Sequence, residues 1–154
     1  MEARRTRVID AAPESVWSVL EDPHHFPRWW PGVVRVEGVS PDRWTHVYTT
    51  KKGRAVRIDF RLLASDPPGD GMSGHARRAW EQELAGTPFE RVLGEAITEV
   101  ALEPADEGDG HGTRVTIAQR QKLRGYSKTG AWMLRRPTNA RLDEALEGLE
   151  RICV

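Results

Sequence analysis

Between residues 131 and 154, Leu142, Ala145, Leu146, Leu149, Ile152 and Cys153 recur every three or four positions, the spacing that aligns side chains on one face of an α-helix. The pattern predicts a long C-terminal helix with a single apolar stripe, and such a stripe must be covered. Nearly everything upstream reads as alternating strands, each with an apolar face of its own that needs covering. A curved sheet wrapped around the helix satisfies both needs. At 154 residues the chain suits one domain over 1–154, large enough to bury roughly two thirds of its unfolded surface around one core.

Along the chain, β-branched Thr6, Val8 and Ile9 predict a strand within residues 1–10. Proline is tolerated in a first helical turn, so Ala11-Ala12-Pro13 opens a short helix over 14–21, with Val16, Val19 and Leu20 on one face and Trp17 beside them. Residues 24–31 are too proline-broken for a long helix. Yet they hold Phe26, Trp29 and Trp30, more aromatic surface than a solvent loop exposes, so the segment is expected to pack inward.

Strand-like runs follow at 33–39, 43–50 and 54–63. The last alternates Val56, Ile58, Phe60 and Leu62 against Arg57, Asp59 and Arg61, one dry face and one wet. If Lys51-Lys52-Gly53 is a three-residue hairpin loop, Trp44, His46 and Tyr48 share that dry face; a two-residue loop reverses it. Residues 67–74 are a turn-rich break, and 75–85 fit a helix or a strand, with propensity leaning helical. Thr87-Pro88-Phe89-Glu90 has the layout of a capping box, with Gly94 placed to close the helical turn. Two more runs, 95–102 and 113–123, flank the acidic, glycine-rich loop 107–112. Pro137 is expected to kink or restart the last helix near its beginning.

The segments Ala11-Ala12-Pro13-Glu14-Ser15-Val16-Trp17, 22–34 with Phe26, Trp29, Trp30 and Pro31, Gly112-Thr113-Arg114-Val115-Thr116, and Leu142-Asp143-Glu144-Ala145-Leu146 occur in an order that resembles the START-related helix-grip superfamily. More narrowly, the chain is similar to its bacterial polyketide cyclase/dehydrase and lipid-transport-like branch. The resemblance implies an α+β helix-grip fold: a seven-stranded antiparallel curved sheet around a long C-terminal helix, with two short helices after the first strand. It implies a cavity between sheet and helix for lipids, polyketides, hormones or other hydrophobic molecules, and it favours strand for 75–85. It carries no universal catalytic residue, and function must be argued from the site.

Net charge is zero, so no basic field exists to hold nucleic acid. The single cysteine forms no internal disulfide, and the N-terminus has no apolar run, which leaves a cytoplasmic protein without a membrane span as the expectation. Gly69-Asp70-Gly71-Met72-Ser73-Gly74 matches the dinucleotide spacing, but the strand before it alternates with charges where a nucleotide-binding strand is buried on both faces. It reads as a turn. Ser73 resembles a nucleophile elbow without the second glycine. The five histidines include adjacent His24 and His25, which do not share a face, so neither metal nor cofactor is expected.

The residues expected to line a ligand cavity are Trp30, His46, Tyr48, Ile58, Phe60, Arg78, Trp80, Gln82, Gln119 and Leu134, within an aromatic set that also includes Trp29, Trp44 and Trp132. Glutamines on a largely apolar face need partners once buried, so Gln82, Gln119 and Gln121 are candidates to orient a ligand's oxygens. Arg78 has inward parity and could meet a carboxylate or phenolate. The function expected is a carrier or sensor of a small hydrophobic molecule. The alternatives are an enzyme of cyclase, aromatase or dehydratase type, with His46 as the best single acid–base candidate, and an interaction module using the sheet's outer face or the segment from Phe26 to Trp30.

Overall fold

Strand β1 (Glu2–Ile9) leads into helix α1 (Pro13–Leu20), which buries Val16, Trp17, Val19 and Leu20. The carboxylate of Asp22 accepts from the His24 N–H and starts a 3-10 turn, Pro23–His25, that runs into the one-turn helix α2 (Phe26–Trp29). Strands β2 (Arg35–Glu37), β3 (Arg43–Thr49), β4 (Ala55–Asp66) and β5 (Ala76–Gln82) follow. After a 3-10 turn at Pro88–Arg91 come β6 (Leu93–Pro104), β7 (Thr113–Leu123) and helix α3 (Ala131–Cys153). The structure is a computed structural model and describes residues 1–69, 74–105, 112–125 and 130–154. One seven-stranded sheet in the order β1-β7-β6-β5-β4-β3-β2, antiparallel at every pairing, carries α3 on one face.

Turn chemistry sets the register that matters most. Gly53 at φ 79° closes the loop after Thr50, whose N–H donates to the Arg54 carbonyl. Tyr48, His46 and Trp44 therefore stand opposite Val56, Ile58 and Phe60, the three-residue arrangement. Segment 75–85, which propensity leaves open, becomes β5 because β4 and β6 flank it and satisfy its backbone groups from both sides. Ala76, Arg78 and Trp80 face inward from it.

Several expectations need correction. The run 33–39 shrinks to β2, because Gly32 at φ 85° and Gly38 at φ 58° turn the chain on either side of it. At 87–90 the box is incomplete: Thr87 Oγ1 accepts from Phe89 N–H, but the Glu90 carboxylate accepts from Gly86 rather than from Thr87. The result is a 3-10 turn, and Gly94 lies inside β6 at a register irregularity. Pro137 sits within an uninterrupted α3, so the helix does not restart there. The glycine-rich match at 69–74, with Ser73, falls largely on 70–73, and the acidic loop largely on 107–111; both lie outside the described residues.

Helix α3 buries the expected stripe, with Leu142, Ala145 and Leu149 at 0% exposure and Leu146 at 1%. Arg5 to Asp143 and Arg7 to Glu150 link it to β1 at 2.9 and 3.3 Å. Exposed pairs of this kind fix position more than they add stability. Closer contact occurs at Gly148, where a Cβ would stand 2.6 Å from the Trp29 carbonyl oxygen and 2.8 Å from its Cα. Alanine is the better helix former by about 1 kcal/mol, but here it would force α2 off α3. Gly148→Ala should therefore lower stability by about 1–3 kcal/mol, as overpacking does. Unchanged or raised stability in equilibrium denaturation would mean that α2 is not seated on this helix.

Candidate functional site

Phe26 organises the aromatic interior. Its ring lies 5.1 Å from Trp29, 5.9 Å from Trp44, 5.5 Å from Trp80 and 4.4 Å from the His46 imidazole, centroid to centroid. Phe26, Trp29 and Trp30 are between 1% and 6% exposed. The segment thus packs inward as expected, and it offers no aromatic surface for docking a partner.

Beside this cluster, between the concave sheet face and α3, lies a cavity of about 90 Å³. Eight of the ten expected residues line it: Trp30, His46, Tyr48, Ile58, Phe60, Trp80, Gln82 and Gln119. They meet because inward positions alternate along β3, β4, β5 and β7 in the observed register. Arg78 and Leu134 do not line it. The guanidinium of Arg78 is buried, donates to Ser65 Oγ at 2.8 Å and lies 5.8 Å over the Trp44 ring. Burial pushes its pKa down, against the nearby charges of Glu21 and Asp22. Leu134 is 39% exposed and Trp132 75%, since residues 132–137 form a wholly exposed start to α3.

Ala96, Ile97, Thr98, Gln121 and Arg141 complete the lining. Thr98 was findable, standing two positions before buried Val100 and four before Leu102 on the same strand face. Arg141 carried a weaker signal. It lies three residues after Thr138 and four before Ala145, at the margin of the buried stripe, where a long cationic side chain bends over the edge of an apolar surface.

Polar groups in the cavity form a directed chain. The Trp44 indole N–H donates to His46 Nε2 at 3.1 Å, and an indole nitrogen can only donate. His46 is 1% exposed, and burial pushes its pKa down to about 3. The ring is therefore neutral near pH 7, with its proton on Nδ1, 3.5 Å from the Tyr48 hydroxyl. Burial raises the pKa of the same phenol, against the opposing influence of Arg141 and the Trp30 side chain, so Tyr48 stays protonated. Gly32 makes room for this ring: a Cβ there would meet Tyr48 Cδ1 at 3.2 Å. On β7, the Gln119 side-chain amide donates to Thr98 Oγ1 at 3.1 Å, while its Oε1 has no partner among the described residues.

The arrangement can enclose an apolar ring and present hydrogen bonds to its substituents. It is poorly suited to proton abstraction, because a base whose conjugate acid has a pKa near 3 is too weak near pH 7. That removes His46 as the acid–base candidate. Among the described residues, no carboxylate lines the cavity, and no cluster of three or more His, Cys, Asp or Glu could hold a metal ion. Among them, too, no helix is long and apolar enough to cross a membrane.

A sheet closed on a C-terminal helix over an aromatic-lined cavity defines a helix-grip domain of the START-related kind. The chain belongs to the polyketide cyclase/dehydrase and lipid transport family, which matches residues 1–153. Among solved structures, it is similar to a START superfamily protein from Mycobacterium smegmatis, with 11% identity over 99% of this chain and 96% of that one and a TM-score of 0.72. A protein from Thermus thermophilus gives 21% identity, 99% and 97% coverage and a TM-score of 0.69. The di-domain ARO/CYC BexL from the BE-7585A biosynthetic pathway gives 20% identity and a TM-score of 0.72 over 98% of this chain and 45% of that one. Likeness at these identities establishes the fold alone. No curated protein matches the sequence.

Proposed function

We propose that this protein binds a small, ring-bearing, mainly apolar molecule in the cavity under α3, as a carrier or sensor. The observation that carries the reading is the lining itself. Trp30, Ile58, Phe60 and Trp80 surround a space whose polar groups are oriented hydrogen-bonding groups, with no base of useful strength among the described residues. Wider grooves of about 510 and 600 Å³ lie elsewhere, but Arg4, Arg77 and Glu103 border the first and Glu144, Glu147 and Arg151 the second, which suits solvent better than an apolar ligand. Size narrows the ligand. The cavity of about 90 Å³ is below the ~150 Å³ that accommodates benzene in an engineered protein core. A single ring therefore enters only as the lining side chains move apart, and a long acyl or polyketide chain does not fit this conformation.

A cyclase-type role, the activity class that BexL is named for, has one observation in its favour: the phenol of Tyr48 beside Arg141 could polarise a carbonyl. The carrier reading is preferred because, among the described residues, no group is placed to take the proton that such a reaction releases.

Titration with phenol, followed by tryptophan emission, should give saturable binding. Ala96→Phe, which fills the cavity from its wall, should abolish it, and Arg57→Ala on the outer face should leave it unchanged. Binding that survives Ala96→Phe, or no binding to the unaltered protein, would overturn the proposal.

A further inference from the structure

We infer that the cavity recognises an anionic oxygen on a single aromatic ring, held jointly by the Tyr48 hydroxyl and the Arg141 guanidinium, and that the ligand class is a small hydroxylated aromatic carboxylate. The inference deepens the proposed ligand-binding role and rests on it.

Hydrogen-bond direction is the first support. A tyrosine hydroxyl has one proton and two acceptor sites. Trp44 fixes His46 as the Nδ1–H tautomer, so His46 can only donate towards Tyr48, 3.5 Å away, and among the described residues no side chain accepts from the Tyr48 hydroxyl. With His46 donating to its oxygen and no acceptor for its proton among the described side chains, the Tyr48 O–H is left to donate into the cavity that it lines. The chain Trp44 to His46 to Tyr48 thus ends in a donor aimed at a ligand.

Charge is the second. Among the described residues lining the cavity, Arg141 is the one that is exposed, so it stands at the edge where the cavity meets solvent. Among the described residues it is also the sole charged side chain there at neutral pH, since none of the Asp, Glu or Lys among them lines the cavity and His46 is neutral. Asp143, Glu147 and Glu150 of α3 are engaged by Arg5 and Arg7 of β1, and among the described residues no carboxylate lies within ion-pair distance of Arg141. A neutral hydroxyl donor and a guanidinium with no carboxylate partner among the described residues, lining one cavity with the guanidinium's charge acting on the phenol, form a site for a carboxylate or phenolate oxygen.

The third support is Gln119. Its Oε1 is buried without a partner among the described residues, which is costly unless something donates to it. In the sheet, β7 is separated from β3 by β6, β5 and β4, so this acceptor stands on the far wall from Tyr48. A ligand that reaches both walls carries an acidic group at one end and a hydroxyl at the other, with its ring between Phe60 and Trp80.

Calorimetric titration of the full chain with 4-hydroxybenzoate and with 4-hydroxybenzamide, its near-isosteric neutral counterpart, tests this. The acid should bind at least about tenfold more tightly, as charge-assisted hydrogen bonds require. Arg141→Gln should abolish that preference by weakening the acid, Tyr48→Phe should also weaken the acid, and Arg57→Ala, an exposed position outside the lining, should leave both affinities within about twofold. Equal affinity for the two probes in the unaltered protein, or a preference for the acid that survives Arg141→Gln, would overturn the anion assignment and leave the cavity's role as a binding site standing. Failure of both probes and of phenol to bind would overturn that role as well.

Discussion

Acidification from pH 7 to pH 5 should remove about 2 kcal/mol of stability through His46 alone. The imidazole is held neutral in the folded protein by burial, with its pKa near 3 against 6.5 for an ordinary histidine. Below pH 6.5 the unfolded chain takes up a proton that the folded chain refuses. The contribution is therefore complete above pH 6.5 and is lost progressively as pH falls towards 3. His46→Gln keeps an acceptor for the Trp44 N–H but cannot titrate. The loss measured by denaturation between pH 7 and pH 5 should be about 2 kcal/mol smaller in that variant than in the unaltered protein. Equal losses would show that His46 is not buried as a neutral base, and the donor direction assigned to Tyr48 would fail with it.

Leu146→Ala should cost about 2–5 kcal/mol, the range for truncating a leucine in a core that cannot fully collapse. Leu146 is 1% exposed, and Leu142, Ala145 and Leu149 around it are fully buried, so a cavity left there has no mobile neighbour to fill it. Glu147→Ala, on the exposed side of the same helix, should stay within about 0.5 kcal/mol. A Leu146→Ala loss below about 0.5 kcal/mol, the surface range, would mean that the sheet does not grip this helix.

The inward set on β3 and β4 is legible in the chain itself because side chains alternate strictly along a strand, so one hairpin length settles which of Trp44, His46, Tyr48, Val56, Ile58 and Phe60 share a face. Trp80 and Gln82 are legible only conditionally. Their segment carries helical and strand patterns at once, and the choice depends on neighbours that satisfy its backbone. Leu134 shows the limit of periodicity. It lies eight residues before Leu142, on the stripe by spacing alone, yet the first turns of α3 find no described element to cover them. Arg78 fails differently: its inward parity is right, but it packs over Trp44 and against Ser65, outside the cavity.

From the sequence alone, the local patterns were determined: the alternation of the strands, the stripe on the last helix, the proline and glycine punctuation, and the family resemblance carried by motifs in order. These follow from the geometry of a single segment and need no knowledge of what lies across from it. Tertiary structure alone decided that the His46 ring is neutral, that Tyr48 is left with a proton to donate, and that Arg141 overlooks the cavity with no carboxylate against it among the described residues. Each of these depends on which groups from distant parts of the chain, Trp44, Tyr48 and Arg141 of α3 among them, are brought together at one cavity. Desolvation and hydrogen-bond direction are properties of an assembled environment, and no spacing along the chain encodes them.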